Sequence, residues 1–449
     1  MRDWLRLWFT FERRVGRREY LASGLGLAAL KYAGDALLVW SATGRLWTPT
    51  DYLSPLHSIL SARLAHTPPY LLPAMALWTV PFLWIGVSMT MRRALDAGRS
   101  AWVALLFFVA PLSYGLIAVL SILPSAPAPE MVEPPRPYER RLPGALLAIA
   151  AGAAVGLGML ALSVFALSAY GLSLFLGTPF VIGLLTAFLL NRRYAATLRE
   201  TQEVVLLTLA CVGGATFFTA AEGALCLLMA FPLAVALAAL GAVLGRRIAL
   251  HDAGPVGHAA LAVLVLPATA ALDVDRPASG LREVRSAVVI DAPADLVWRH
   301  VVEFPPLPEP TALVFRMGVA YPRHAELIGR GVGAVRHCVF STGSFVEPIT
   351  RWEPGRRLSF DVTSQPPPLA EWSPYAHVTP PHLRDYFRAR RGEFRLVPLP
   401  GGRTRLEGST WYELRIFPEA YWILFADAFV ARIHGRVLEH VKRVTEEER

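Results

Sequence analysis

Seven histidines fall in the last third of the sequence: His300, His324, His337, His377, His382, His434 and His440. Carboxylates are interspersed among them, at Glu303, Glu347, Glu393, Glu407 and Asp427. Such groups can move a proton at a carbon acid when burial tunes their pKa values and a donor meets the developing oxyanion. No spacing singles out one of them as the base. Cys338 follows His337 directly, and strand neighbours face opposite sides, so the two form no thiolate dyad. The patterns HExxH, GxSxG and the P-loop are absent, as is a GxGxxG in strand context. The three cysteines include no CxxC pair. No metal, no cofactor and no identifiable catalytic residue is therefore expected.

Further upstream, charges sit where few belong. Lys31 and Asp35 are four residues apart inside an apolar run. An intrahelical pair that fixes the helix against its neighbours accounts for them, and an ion or proton relay is the chemical alternative. Asp96 lies among Arg92, Arg93 and Arg99. Guanidinium forks suit phosphate oxygens, but a membrane-edge anchor with a structural Arg–Asp bridge explains the group as well. Glu222 falls where two apolar runs meet, as in a turn facing water.

The elements that must hold these residues divide into two kinds. The chain has 449 residues, of which 54% are hydrophobic and 18% charged, with a net charge of +9. Residues 1–280 carry 21 basic and 15 acidic side chains, and residues 281–449 carry 23 and 20. The first part has a membrane-protein composition and the second a soluble one. This excludes a single soluble globule, a disordered chain and a collagenous fibre. The positive excess sits in clusters between apolar runs, which indicates topology rather than a nucleic-acid surface.

A membrane helix needs about 20 apolar residues. Runs of that kind cover 21–40, 70–91, 102–123, 143–168, 172–190, 204–221 and 224–244, with a shorter one at 257–272. Seven to eight helices are expected. A Pro-rich linker over 124–142 separates a three-helix module, 1–123, from a second module, 143–272. The N-terminus is not a cleavable signal peptide. The positive-inside rule puts Arg2–Arg18 and Arg92–Arg99 in the cytoplasm, and also Arg136–Arg141, Arg192–Arg199 and Arg246–Arg247. These assignments conflict across 102–123 unless that run fails to span. If it fails and 257–272 spans, the C-terminal domain is exported; if both fail, or eight runs span, it is cytoplasmic. The expectation is cytoplasmic.

From residue 281 the pattern becomes α+β. EVRSAVVI alternates as a strand, DAPADLVWRHVVEF opens a helix at a Pro, and several β-rich stretches follow. The segment 419–446 is amphipathic, with Trp422, Phe425, Phe429, Ile433, Val437 and Val441 on one face. VVIDAPADLVWRHVVEF (288–304) resembles the first strand and helix of the START/SRPBCC superfamily. FSTGSFVEPITRWEP, PPHLRDYFRARRGEFRL and LPGGRTRLEGSTWYE are similar to its polyketide cyclase/dehydrase-like subgroup. That resemblance covers 281–449 and implies a helix-grip fold, in which a sheet wraps a long helix around an apolar cavity for a lipid, sterol or polyketide-like ligand.

The N-terminal module resembles the YhaH-like inner-membrane family, a domain of unknown function. Arg14, Arg17, Glu19 and Tyr20 match its first motif, with Arg13 and Leu21 in place of Gly and Trp. Arg92, Arg93, Asp96, Arg99, Ser100 and Trp102 match its second, with Leu95 replacing a His. The resemblance implies a bacterial inner membrane and no particular activity.

Within such a cavity, the best-placed polar residues are those in aromatic surroundings. They are Arg316, Tyr321, Glu347, His382, Tyr386, Trp411, Tyr412, Tyr421, Trp422 and His434. For any single one of them, core packing with backbone partners is the better explanation. The Pro-rich segment 364–382 is either a lid or an ordered surface loop. The expected function is a membrane-tethered START-like domain that senses, sequesters or transfers a hydrophobic ligand. Its expected partners are the bilayer and that ligand, with no nucleic acid. Alternatives are a membrane-tethered cyclase or dehydratase, and a transporter with a regulatory domain.

Overall fold

The computed structural model describes residues 7–9, 14–49, 68, 71–108, 112–126, 141–251, 263, 266–267, 269–270, 273, 280–373, 383 and 386–449. Most of the linker, most of 257–272, and the 374–382 stretch with His377 and His382 lie outside them.

The chain divides into two compact units. The first comprises Met1–Gly156, Thr178–Leu209 and Val235–Pro267. Its helices include α1 (Arg17–Thr43), α2 (Leu71–Asp96) and α3 (Leu112–Ile122), preceded by a 3₁₀ helix at Ala101–Phe108. Within the run 102–123, expected as one apolar helix, the described residues form this 3₁₀ helix and a short α-helix. The 11-residue α3 rises only about 16 Å, roughly half a bilayer core.

The YhaH-like motifs hold this module together. Glu19 Oε2 accepts from the Gly16 N–H at 3.4 Å, capping α1, and Tyr20 bonds Thr90 at 2.9 Å. The buried Arg93 pairs with Asp96 at 2.5 Å and donates from Nε to the Leu120 carbonyl at 2.9 Å. It also donates to the Leu123 carbonyl. Arg93 thus satisfies carbonyls at the end of α3 that have no intrahelical partner. Arg92 donates to the Leu7 carbonyl at 2.6 Å. Arg14, Arg17 and Arg99 are exposed. Lys31 and Asp35 form the expected i, i+4 pair.

The later helices are α4 (Arg141–Leu160), α5 (Thr178–Arg193), α6 (Leu198–Phe218) and α7 (Ala224–His251). Short π-helical turns extend α4 to Ala166 and start the α5 rod at Ser173. Among the described residues four helices are long and apolar enough to cross a membrane: Pro143–Ala166, Ser173–Arg193, Leu198–Phe218 and Ala224–His251. The α5 rod is the most enclosed, and it meets α7 through glycine. A methyl on Gly183 would lie 2.0 Å from the Ala238 carbonyl, and one on Gly241 2.1 Å from the Phe180 carbonyl. Such close backbone approach is a known means of association in lipid, and it leaves no room for a path along that seam.

The second unit comprises Leu157–Gly177, Ala210–Ala234 and Ala268–Arg449. Among the described residues it has seven strands: β1 (Arg282–Ile290), β2 (Pro322–Ile328), β3 (Val335–Phe340), β4 (Gly343–Glu353), β5 (Arg357–Asp361), β6 (Phe387–Leu399) and β7 (Arg403–Leu414). They form one antiparallel sheet in the order β1-β7-β6-β5-β4-β3-β2. Helices α8 (Ala294–Val302) and α9 (Leu313–Arg316) follow β1, and α10 (Glu419–Glu448) ends the chain. The sheet curls around α10, as a helix-grip fold requires. On α10, Trp422, Val430, Val437, Leu438 and Val441 are buried, each contributing about 1.5–3 kcal/mol. Arg282 at the start of β1 holds Asp427 of α10 through two nitrogens, and Tyr412 of β7 donates to the same carboxylate at 2.6 Å.

Asp96→Ala strands the Arg93 charge in the first unit. It should lower stability by about 3–5 kcal/mol, read as a fall in melting temperature of the detergent-solubilised chain. Arg93→Met with Asp96→Leu should recover part of that loss, because no unpaired charge remains.

Candidate functional site

A two-residue turn, Ser341–Thr342, joins β3 and β4, so Phe340 pairs with Gly343 and each step back on β3 pairs with a step forward on β4. That register sets Cys338 opposite Phe345 and Arg336 opposite Glu347. Arg336 and Cys338, two apart, share the face that is turned inward. Arg336 is 2% exposed and Glu347 5%, and the two form an ion pair. The rings of Phe304, Phe360 and Phe394 lie 5.3, 5.3 and 5.7 Å from the guanidinium carbon. An arginine so enclosed keeps its charge by pairing with the carboxylate and with ring faces. Its Nε is buried and has no hydrogen-bond acceptor among the described residues.

These groups line a cavity of about 120 Å³ between the sheet and α10. Phe345, Phe360, Ala389 and Phe394 supply sheet wall, and Val430, Ile433, His434 and Val437 supply helix wall. That volume suits a small ring system, because apolar cavities of roughly this size hold a molecule such as benzene. Anything larger requires the lining side chains to move.

His434 bonds Thr410 Oγ1 through Nε2 at 2.8 Å and Ser286 Oγ through Nδ1 at 3.3 Å. Burial lowers its pKa to about 4, so the imidazole is neutral at physiological pH. Burial raises the Glu347 carboxyl above its ordinary value, with Arg336 pulling the other way. Burial also pushes the Cys338 thiol up to about 12, which leaves it unreactive. The cavity therefore offers a fixed cation and a neutral hydrogen-bonding imidazole in an apolar shell. Among the described residues, no group of His, Cys, Asp and Glu can hold a metal ion.

Of the residues singled out from sequence, Glu347 and His434 line this cavity. The others lie elsewhere. Arg316 is exposed on α9. Tyr321 donates to Glu309 at 3.0 Å and sits beside Arg436. Trp411 stacks beneath Arg391. Tyr412 is buried in the Arg282–Asp427 clamp. Tyr421 and Trp422 pack at the start of α10 against Met229 and Phe175. Tyr386 donates to the Ser168 carbonyl. His382 lies outside the described residues. Arg336 and Cys338 were not anticipated as a pair. The signal was available in VRHCVF, where alternation puts both on one strand face, and in the two-residue turn that sets the register.

The pH dependence follows from His434. An unfolded imidazole titrates near 6.5 and the folded one near 4. The stability due to its neutral burial is therefore fully present above about pH 6.5 and lost as pH falls toward 4, by up to about 3 kcal/mol. His434→Gln should shrink the difference between melting temperatures at pH 7 and pH 4.5; an unchanged difference would exclude this role.

Residues 8–134 match the model of a protein family of unknown function (DUF805). Residues 282–446 match the polyketide cyclase / dehydrase and lipid transport family. No curated protein matches the chain. Similar solved structures include the Zhui aromatase/cyclase from Streptomyces sp. R1128, 19% identical over 37% of this chain and 94% of that one, with a TM-score of 0.23. Norcoclaurine synthase from Thalictrum flavum is 13% identical over 38% and 88%, with a TM-score of 0.26. A protein from Nitrosospira multiformis is 18% identical over 37% and 100%, with a TM-score of 0.25. The chain joins an N-terminal segment that matches the DUF805 model to a C-terminal helix-grip domain that matches the polyketide cyclase / dehydrase and lipid transport model.

Proposed function

We propose that the C-terminal domain takes up a small, mostly apolar molecule bearing an oxygen acceptor, and sequesters, senses or hands it on at the bilayer. The observation that carries this reading is an apolar cavity lined by the buried Arg336–Glu347 pair and by His434. A carbonyl, ester or phenol oxygen would meet these polar groups, and the rest of the molecule would rest on Phe345, Phe360 and Phe394. The enzyme reading draws support from Glu347 and His434 in the same cavity. However, Glu347 is committed to Arg336, and an imidazole with a pKa near 4 is a weak base at neutral pH. Binding is favoured over turnover. The transport reading draws no support from the glycine-packed seam of α5 and α7.

The full chain, purified in mild detergent, should carry a hydrophobic molecule detectable by native mass spectrometry, or take up an apolar fluorescent probe. Ala389→Phe, which fills the cavity, should reduce uptake at least tenfold while the melting transition persists. A chain that is empty and takes up nothing would refute the reading.

A further inference from the structure

Two exposed apolar side chains of the C-terminal domain sit at a depth that water does not explain. Trp372 is 68% exposed and Leu424 65%. Both belong to segments that reach the ends of the spanning helices. The Trp372 ring lies 6.0 Å from that of Phe217, the penultimate residue of the α6 span, and its carbonyl accepts from the first residue of α7. Leu424 lies in the first turns of α10, beside Tyr421 and Trp422. Tyr421 donates to the Met229 carbonyl at 2.5 Å. Met229 is the sixth residue of α7, about 7.5 Å along its axis. The Trp422 ring meets Phe175, the third residue of the Ser173–Arg193 span, with centroids 4.9 Å apart.

These contacts tie residues 371–372 and 421–424 to the first or last turns of three spanning helices. At that level the surrounding medium is the headgroup and upper acyl region, where Trp and Tyr concentrate and apolar side chains find partners. Two other apolar residues provide a comparison. Ile328 and Val332, 65% and 68% exposed, lie at and beyond the end of β2. The core cluster beneath that turn contains no residue of the spanning segments.

We propose that the helix-grip domain is itself an interfacial membrane-binding module. Trp372 and Leu424 insert into the lipid of the leaflet it faces, so the domain rests in the bilayer surface rather than hanging from a tether. The partner is the lipid surface, and the assignment holds whichever side the domain occupies and whatever the cavity binds.

The test uses the full chain reconstituted in phosphatidylcholine/phosphatidylglycerol vesicles, with exposed Cys211 replaced by Ser. Spin labels are placed singly by Trp372→Cys, Leu424→Cys, Ile328→Cys and Val332→Cys. Labels at 372 and 424 should relax more with oxygen than with a water-soluble nickel chelate, and those at 328 and 332 should show the reverse. Equal chelate accessibility at all four positions would overturn the proposal. Position 424 reports independently if Trp372→Cys disturbs the contact with α7.

Discussion

A thirty-residue helix with an apolar stripe along its whole length has to be covered along its whole length. In this protein α10 is covered by two different things. Its C-terminal half, with Val437, Leu438 and Val441, joins the core of the sheet and α8. Its N-terminal half, with Trp422 and Val430, joins a second cluster that takes in Phe175, Leu225 and Met229 of the spanning segments. Val284, Phe387, Tyr412 and Leu414 of the sheet share that cluster. Trp422 packs on Phe175 and Tyr421 bonds the Met229 carbonyl, so the closing helix and these turns share one hydrophobic cluster. The Arg282–Asp427–Tyr412 clamp lies within the N-terminal half and fixes it to β1 and β7.

How much of this the sequence discloses depends on whether a property is periodic or relational. The apolar stripe of α10, the alternation of β1 and the composition break near residue 280 are periodic or compositional, and they are legible in one dimension. The cavity's polar centre is relational. Arg336 reads as one of many arginines until the Ser341–Thr342 turn fixes it opposite Glu347 and the three phenylalanines arrive from α8's end, β5 and β6. Aromatic surroundings alone were a poor guide. They picked Trp411 and Tyr321, whose rings serve Arg391, Arg323 and Arg436 at the periphery, along with cavity residues such as Glu347.

The N-terminal motifs show the same division. Their residues stand out in the sequence, yet their work depends on chain segments far away. Arg93 reaches the carbonyls of Leu120 and Leu123, and Arg92 reaches that of Leu7. In lipid an unsatisfied carbonyl is costly, so an arginine that caps another helix's end can be a structural necessity without any phosphate to bind.

The two apolar clusters and the cavity are not separate compartments. Val430, Ile433 and Phe387 line the cavity, and the same three residues belong to the cluster that contains Phe175, Leu225 and Met229. An apolar molecule moving from the spanning helices to the cavity along that cluster would stay in contact with apolar side chains throughout. For a hydrophobic ligand the largest barrier to leaving a bilayer is the exposure of its surface to water, about 25 cal/mol per Å². On the reading proposed above, a cavity wall continuous with that cluster lowers the barrier for such a ligand, because its apolar surface stays covered along the way.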